Sequence, residues 1–556
     1  MKKWLTHSLM VLVLVLSACS PQSSADKTTE EPKDEYTALA EEKNNDQDLQ
    51  KVELGRYAEE VGATLSSPKY RSFHVNSSFS IKGKVKDTSK FTSDYVMIKV
   101  QSEKDGPDGE KEFEYFTPIN DGTFEQKVQL FNGKGKYEVK VSLPDDRTEN
   151  YFKRLAEFEV SNVNPKVKRD VMTRIPALEH DLKFDNLPSG FFQEEEFFAL
   201  NGTVEDAEMI MVKVDKEDES SEVMIPVAKD GTFAKEIPLF YGKGVHKATI
   251  MTPDEERENY YNEAAVILVD NQSEKTYTPI NYSKVYQELG YSLTHPKVGG
   301  EETDLSYPIK GEINPDAPYA DQTEVVFVST KKGEDEAMYS IPVEDYKFDG
   351  EVFLRFGPGE YDVSVFAPDF ERTNGDYRSF TGLANFMLKG KAEDKRNLLP
   401  SKGIQSDHPE IETLAGELTD GITDEKKKAK AVYEYVAKNV TYDVDKLNNE
   451  SFEFDDSALK TLNEKTGVCE DYSYLTIALL RASGMEARMV TGRATFSFAR
   501  HAWVETKVDG KWLLMDPTWG SGYLKDDKFV KEYRDKYFDQ DPKEFDKDHS
   551  REDIQY

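Results

Sequence analysis

Polar and apolar residues alternate through much of this chain. Tyr137, Val139 and Val141 are separated by Glu138 and Lys140, and Tyr361, Val363 and Val365 repeat the pattern around Asp362 and Ser364. A period of two sends successive side chains to opposite faces, so these stretches read as half-buried β-strands. Glycine and Asp-Gly punctuation recurs every 8–12 residues or so, the spacing of a β-sandwich.

The punctuation itself repeats. Asp121-Gly122-Thr123-Phe124 is followed by Leu130-Phe131-Asn132-Gly133-Lys134-Gly135 and by Pro144-Asp145. Asp230-Gly231-Thr232-Phe233, Leu239-Phe240-Tyr241-Gly242-Lys243-Gly244 and Pro253-Asp254 keep the same order. A divergent third copy retains Phe348, Leu354, Gly357-Pro358-Gly359 and Pro368-Asp369. Behind each Pro-Asp comes an Arg-containing stretch with Asn and Tyr, at Asn150-Tyr151, Asn259-Tyr260, and Asn374 with Tyr377. These marks predict three immunoglobulin-like sandwiches over 63–165, 175–272 and 276–392, with the glycines in positive-φ turns. No strand–GxxxxGK[ST]–helix pattern is present, so the glycines form no phosphate loop. The repeats read as a spacer or as binding modules, and fold alone does not choose between these.

After about residue 395 the period changes. Thr423-Asp424 signals a helix start, and Ala429, Val432, Val436 and Val440 then share one face. A second helix is predicted from about Val468 to Ala482, stopped by Gly484 as its C′ residue. Strands are expected around Arg488–Val490, His501–Val508 and Lys511–Asp516.

Residues 20 to about 55 carry almost no large apolar side chains and read as a flexible tether. Ahead of them, Lys2 and Lys3 precede an apolar stretch, Leu9 to Leu16, that is too short to cross a bilayer. Leu16-Ser17-Ala18-Cys19 resembles a lipobox, so Cys19 is expected to carry lipid; an ordinary cleaved signal is the alternative. The mature protein is then expected on the extracellular face of a bacterial cell membrane, held by acyl chains alone. A net charge of −34 excludes nucleic acid as a natural partner.

Of the two cysteines, only Cys469 remains as a free thiol once Cys19 is acylated. It falls at the start of the second predicted helix, where unpaired N–H groups and the macrodipole favour a thiolate, although Glu470 and Asp471 oppose it. A buried structural cysteine is the plainer reading. The hairpin downstream changes the balance. Asp509-Gly510 is a two-residue turn signal; with Val508 facing Lys511, Trp503 faces Asp516. His501 lies two residues further, on the same face as Asp516 and diagonal to it, within reach of an imidazole–carboxylate bond. Cys469 would attack a carbonyl, His501 would hold the thiolate and protonate the leaving amine, and Asp516 would orient the imidazole. The Cys469 backbone N–H is one candidate oxyanion donor. Trp503, Trp512 and Trp519 cluster here, as an aromatic-walled groove or as core.

Thr466-Gly467-Val468-Cys469-Glu470-Asp471-Tyr472, with the run Leu479 to Arg488, resembles the nucleophile segment of the transglutaminase-like superfamily. His501-Ala502-Trp503-Val504-Glu505 is similar to its histidine strand, Asp516-Pro517-Thr518-Trp519 to its aspartate segment, and Tyr433–Tyr442 to the helix before its core. Tyr537-Phe538 through Asp541-Pro542, and His549 to Gln555, resemble a C-terminal extension of some members. The resemblance implies an α+β, papain-like thiol domain over 395–556. It also implies acyl transfer at an amide of a protein or peptide substrate, cell-wall associated or otherwise. The superfamily includes cross-linkers, proteases, amidases and members that have lost the triad, so transamidation, hydrolysis and a non-catalytic scaffold all stay open. No cofactor is expected. Asp443 and Asp445 show no EF-hand pattern, and no HExxH or clustered Cys/His motif is present, so no metal is expected either. Signal peptide 1–18 and tether 19–62 complete the expected organisation, and the oligomeric state stays open.

Overall fold

A computed structural model describes residues 34–148, 151–372, 378–495, 500–526 and 528–556. The export signal, Cys19, Asn150, Asn374 and Tyr377 lie outside the described residues. Within the chain, one compact unit runs to Asp170 and a second begins at Val171.

In the first unit, strands Thr64–Ser67, Ser78–Lys84 and Thr123–Gln129 form one sheet. Ser72–Val75, Phe152–Asn162, Gly135–Pro144, Tyr95–Ser102 and Glu112–Pro118 form another. The alternation predicted at Tyr137, Val139 and Val141 is what buries them, while Lys136 and Glu138 face solvent. Asp121 (φ 47°) and Gly122 (φ 67°) make the left-handed turn that the Asp-Gly pair predicts.

The tether reading needs correction over its described part. Glu35–Asn45 is a helix, although it buries only Ala40. It is docked by polar groups: Asn44 Nδ2 donates to His74 O at 2.8 Å, and the His74 N–H donates back to Asn44 Oδ1 at 2.7 Å. A second helix, Arg56–Val61, buries Tyr57 and Ala58, and the Tyr57 hydroxyl donates to Pro144 O. Counting apolar residues overlooked that side-chain amides can replace lost hydration with backbone hydrogen bonds.

The second unit opens with the same arrangement. Lys183–Asp185, Phe197–Thr203 and Thr232–Pro238 form one sheet, and five strands between Phe191 and Asn271 form most of the other. Further on, strand Asp335–Glu344 pairs both with Val325–Lys332 and with Lys347–Phe353, which joins two sheet halves into one nine-stranded set. The missing Asp-Gly is replaced there by Asp345 and Tyr346, both at positive φ.

The elements of the C-terminal region that build the site are α1 (Pro409–Thr419), α2 (Glu425–Asn439), α3 (Cys469–Ala482), β1 (Ala487–Ala494), β2 (Arg500–Val508), β3 (Lys511–Met515), α4 (Pro517–Ser521) and β4 (His549–Gln555), the four strands forming one sheet. The sheet order is β3-β2-β1-β4. Asp424 caps α2, whose predicted face, Ala429, Val432 and Val436, is buried, with Val440 just beyond its end. Helix α3 is buried almost throughout, from Asp471 to Arg481, because α1, α2 and β2 all pack on it. Gly484 adopts φ 81° beyond its C-terminus. No helix among the described residues is long and apolar enough to cross a membrane.

Candidate active site

Cys469 is the first residue of α3, and its thiol is partly exposed. As the first helical residue its N–H has no intrahelical acceptor. The turn is held from below: the Val468 N–H donates to Asp471 Oδ2 at 2.8 Å, and Lys446 Nζ donates to both Asp471 oxygens at 2.9 and 3.1 Å. Lys446 also pairs with Asp456 at 2.8 Å. Burial pushes the Asp471 carboxyl up to about 6, against the pull of Lys446. Gly467 must lack a side chain, since a Cβ there would stand 2.5 Å from the Asp471 Cβ.

The hairpin has the predicted register. Asp509 (φ 47°) and Gly510 (φ 77°) turn the chain, Val508 pairs with Lys511, and the ladder runs to Val504 opposite Met515. β3 ends there, so Asp516 leaves the sheet and becomes the N-cap of α4. Its two oxygens divide the work. Oδ1 accepts the Trp519 N–H at 3.0 Å, and Oδ2 faces His501 Nε2 at 2.9 Å. Both side chains are buried, His501 to 5% exposure and Asp516 to 0%. With Nε2–H donating to Asp516, Nδ1 is the ring nitrogen left for the nucleophile, and the Cys469 side chain is near enough to the ring to favour its protonated form.

Burial alone would lower the basicity of His501. The Asp516 carboxylate, with a smaller contribution from Cys469, outweighs it and raises the imidazole to about 10. Burial likewise opposes ionisation of Asp516, yet His501 and then His549 hold that carboxyl well below the usual range. The arrangement can keep an imidazolium beside sulfur and an ionised carboxylate behind it.

Two further side chains enter the site. His549, on β4, places Nε2 at 3.3 Å from Asp516 Oδ2 and Nδ1 at 2.7 Å from Asp548 Oδ1. Its only sequence signal was its place in the extension. Tyr442 lies on a two-residue strand beside Thr466–Gly467. Burial raises its phenol first, and Cys469 raises it further. Trp519 and Trp503 flank the His501 ring at 5.6 and 6.2 Å. Trp512 does not join them; it lies under the Arg488 guanidinium, 3.9 Å from its ring centre.

The donor atoms of His501, Asp516 and His549 are close enough to share an ion, and so are those of Glu453, Asp455 and Asp456. Hydrogen bonds among its own members engage the first group. The second surrounds Lys460, which pairs with all three of its carboxylates.

Residues 412–517 match the family model of the transglutaminase-like superfamily, a span that contains Cys469, His501 and Asp516. The C-terminal region of this chain is therefore a transglutaminase-like domain. The chain is similar to the kyphoscoliosis peptidase of Mus musculus, with 27% identity over 155 residues, 25% of this chain and 23% of that protein. The Homo sapiens kyphoscoliosis peptidase is 26% identical over 154 residues, with the same shares. The chain thus spans less than a quarter of the length of the curated relatives it matches, 23% of each. A solved TGase structure shares 19% identity and a TM-score of 0.19, covering 29% of this chain and 47% of its own.

Proposed function

We propose that the C-terminal domain catalyses acyl transfer at an amide of a protein or peptide through a thioester on Cys469. The single observation that carries the reading is the line from the Cys469 thiol through the His501 ring to Asp516 Oδ2. The sulfur attacks the carbonyl carbon, forming a C–S bond. The C–N bond breaks as His501 passes its proton to the leaving amine. An incoming amine or water then attacks the thioester and gives its proton back to His501, the C–S bond breaks, and a new amide or an acid leaves with the thiolate–imidazolium pair restored. The Cys469 N–H and the Tyr442 hydroxyl are the two oxyanion donors in this scheme.

The two-sheet regions over 63–165, 175–272 and 276–392 serve as immunoglobulin-like spacers in this reading. Their buried alternating strands and repeated positive-φ turns support it. Cys19 carries the lipid, and residues 395–556 act at the extracellular face of the cell membrane on wall-associated or neighbouring protein. The lipobox-like Leu16-Ser17-Ala18-Cys19 supports the location.

The test is intact-mass analysis of the full chain and of Cys469→Ala after incubation with a peptide library and a primary amine. Amine adducts or cleaved peptides made by the wild type alone support the reading. Identical products from both proteins overturn it and leave a surface scaffold.

A further inference from the structure

We infer that His549, contributed by the C-terminal strand β4, is a positioning residue that sets how tightly Asp516 holds the His501 imidazolium. The inference rests on the thiol–imidazole reading above and adds a member to it.

The geometry is specific. Asp516 Oδ2 is shared between two imidazole nitrogens, His501 Nε2 at 2.9 Å and His549 Nε2 at 3.3 Å. Oδ1 is already committed to the Trp519 N–H. Both oxygens of this fully buried carboxylate are therefore engaged by protein, Oδ2 by two partners. His549 is itself buried at 3% exposure. Phe545 stacks on its ring at 3.9 Å, and Trp519, Trp503 and His501 close the remaining sides at 4.4, 5.3 and 5.4 Å. The charged and titratable groups that face it among the described residues are Asp516, Asp548 and His501. An imidazole caged so closely cannot turn away, so its Nε2 stays against Asp516 Oδ2 and donates there whenever that nitrogen carries a proton.

A carboxylate oxygen that accepts two donors is a weaker partner for each. His549 thus draws charge from Asp516 that would otherwise fall wholly on His501. In the imidazolium form both His549 nitrogens donate, one to each flanking carboxylate. A second cation beside His501 then acts in the same direction. Either way His501 releases its proton to a leaving amine more readily than an undivided His–Asp pair would. Gly492 belongs to the same construction: it lies opposite β4, and a Cβ there would stand 2.0 Å from Ser550 O. The bare strand lets β4 lie close enough to deliver His549.

The experiment is the pH profile of Cys469 alkylation by iodoacetamide in the full chain. Its upper inflection reports loss of the His501 proton. His549→Phe, which keeps the ring volume and removes the donor, moves that inflection up by about one pH unit. His549→Gln, whose amide N–H replaces Nε2–H, returns it most of the way. Asp548→Asn changes only the outer end of the chain of contacts and moves it upward by a smaller step. An unshifted inflection in folded His549→Phe overturns the inference. If His549→Phe does not fold, an Asp548→Asn profile that superimposes on the wild type overturns it instead. A wild-type profile with the single inflection of a free thiol is a different result, because it removes the thiol–imidazole pair itself.

Discussion

His501 Nε2 lies 2.9 Å from Asp516 Oδ2 although fifteen residues separate them. A two-residue turn brings them together. Because Asp509 and Gly510 are both left-handed, β2 and β3 pair from Val508 and Lys511 outward without a bulge, and parity is kept to the end of the ladder. The carboxylate is then fixed by its second duty as the cap of α4.

That pair makes stability depend on pH at the alkaline side. His501 has a folded value of about 10 against an ordinary 6.5. Its contribution is fully present below 6.5 and is lost as pH rises through about 10. Denaturant midpoints across that window should fall for the wild type. His501→Gln, with no proton to lose, should show a flatter curve. Asp516 works at the other end: its carboxyl is depressed, so its contribution is present above the ordinary 3.8 and disappears in strong acid.

Lys446 is the counter-ion for two acidic side chains beneath the nucleophile, Asp471 and Asp456. Lys446→Met should destabilise the protein by about 3 kcal/mol at neutral pH, since it leaves a carboxylate buried without its cation. The loss should shrink in acid. Asp471 has a folded value of about 6 against 3.8, so its protonated form favours the fold; that contribution is present below 3.8 and is lost as pH rises through about 6. Thermal unfolding of both proteins at either end of this window measures the difference.

Tyr442→Phe separates oxyanion binding from thiol activation. Removing one donor should lower amide turnover by about 10²-fold. The iodoacetamide reaction has no tetrahedral oxyanion and should keep its wild-type rate. Equal losses in both assays would assign Tyr442 to shaping the thiol instead.

Gly492→Ala should cost about 1–3 kcal/mol, because the added methyl meets the Ser550 carbonyl, which is backbone and cannot rotate away. Limited proteolysis should then cut the C-terminal strand sooner than in the wild type. Iodoacetamide kinetics should shift in the direction expected for His549→Phe.

By itself the sequence determined what depends on neighbours along the chain. The Tyr137 and Tyr361 alternations, the Asp-Gly turns, the Asp424 cap, the Cys469 helix start and the His501–Asp516 register all follow from local periodicity and parity. Tertiary structure decided what depends on meetings no period encodes. His549 reaches Asp516 across thirty-three residues only because β4 joins the far edge of the sheet. The polar helix Glu35–Asn45 exists because Asn44 finds the backbone of His74. Such contacts are fixed by how elements pack and which buried polar groups must be satisfied, quantities that a linear pattern of apolar and polar residues does not carry.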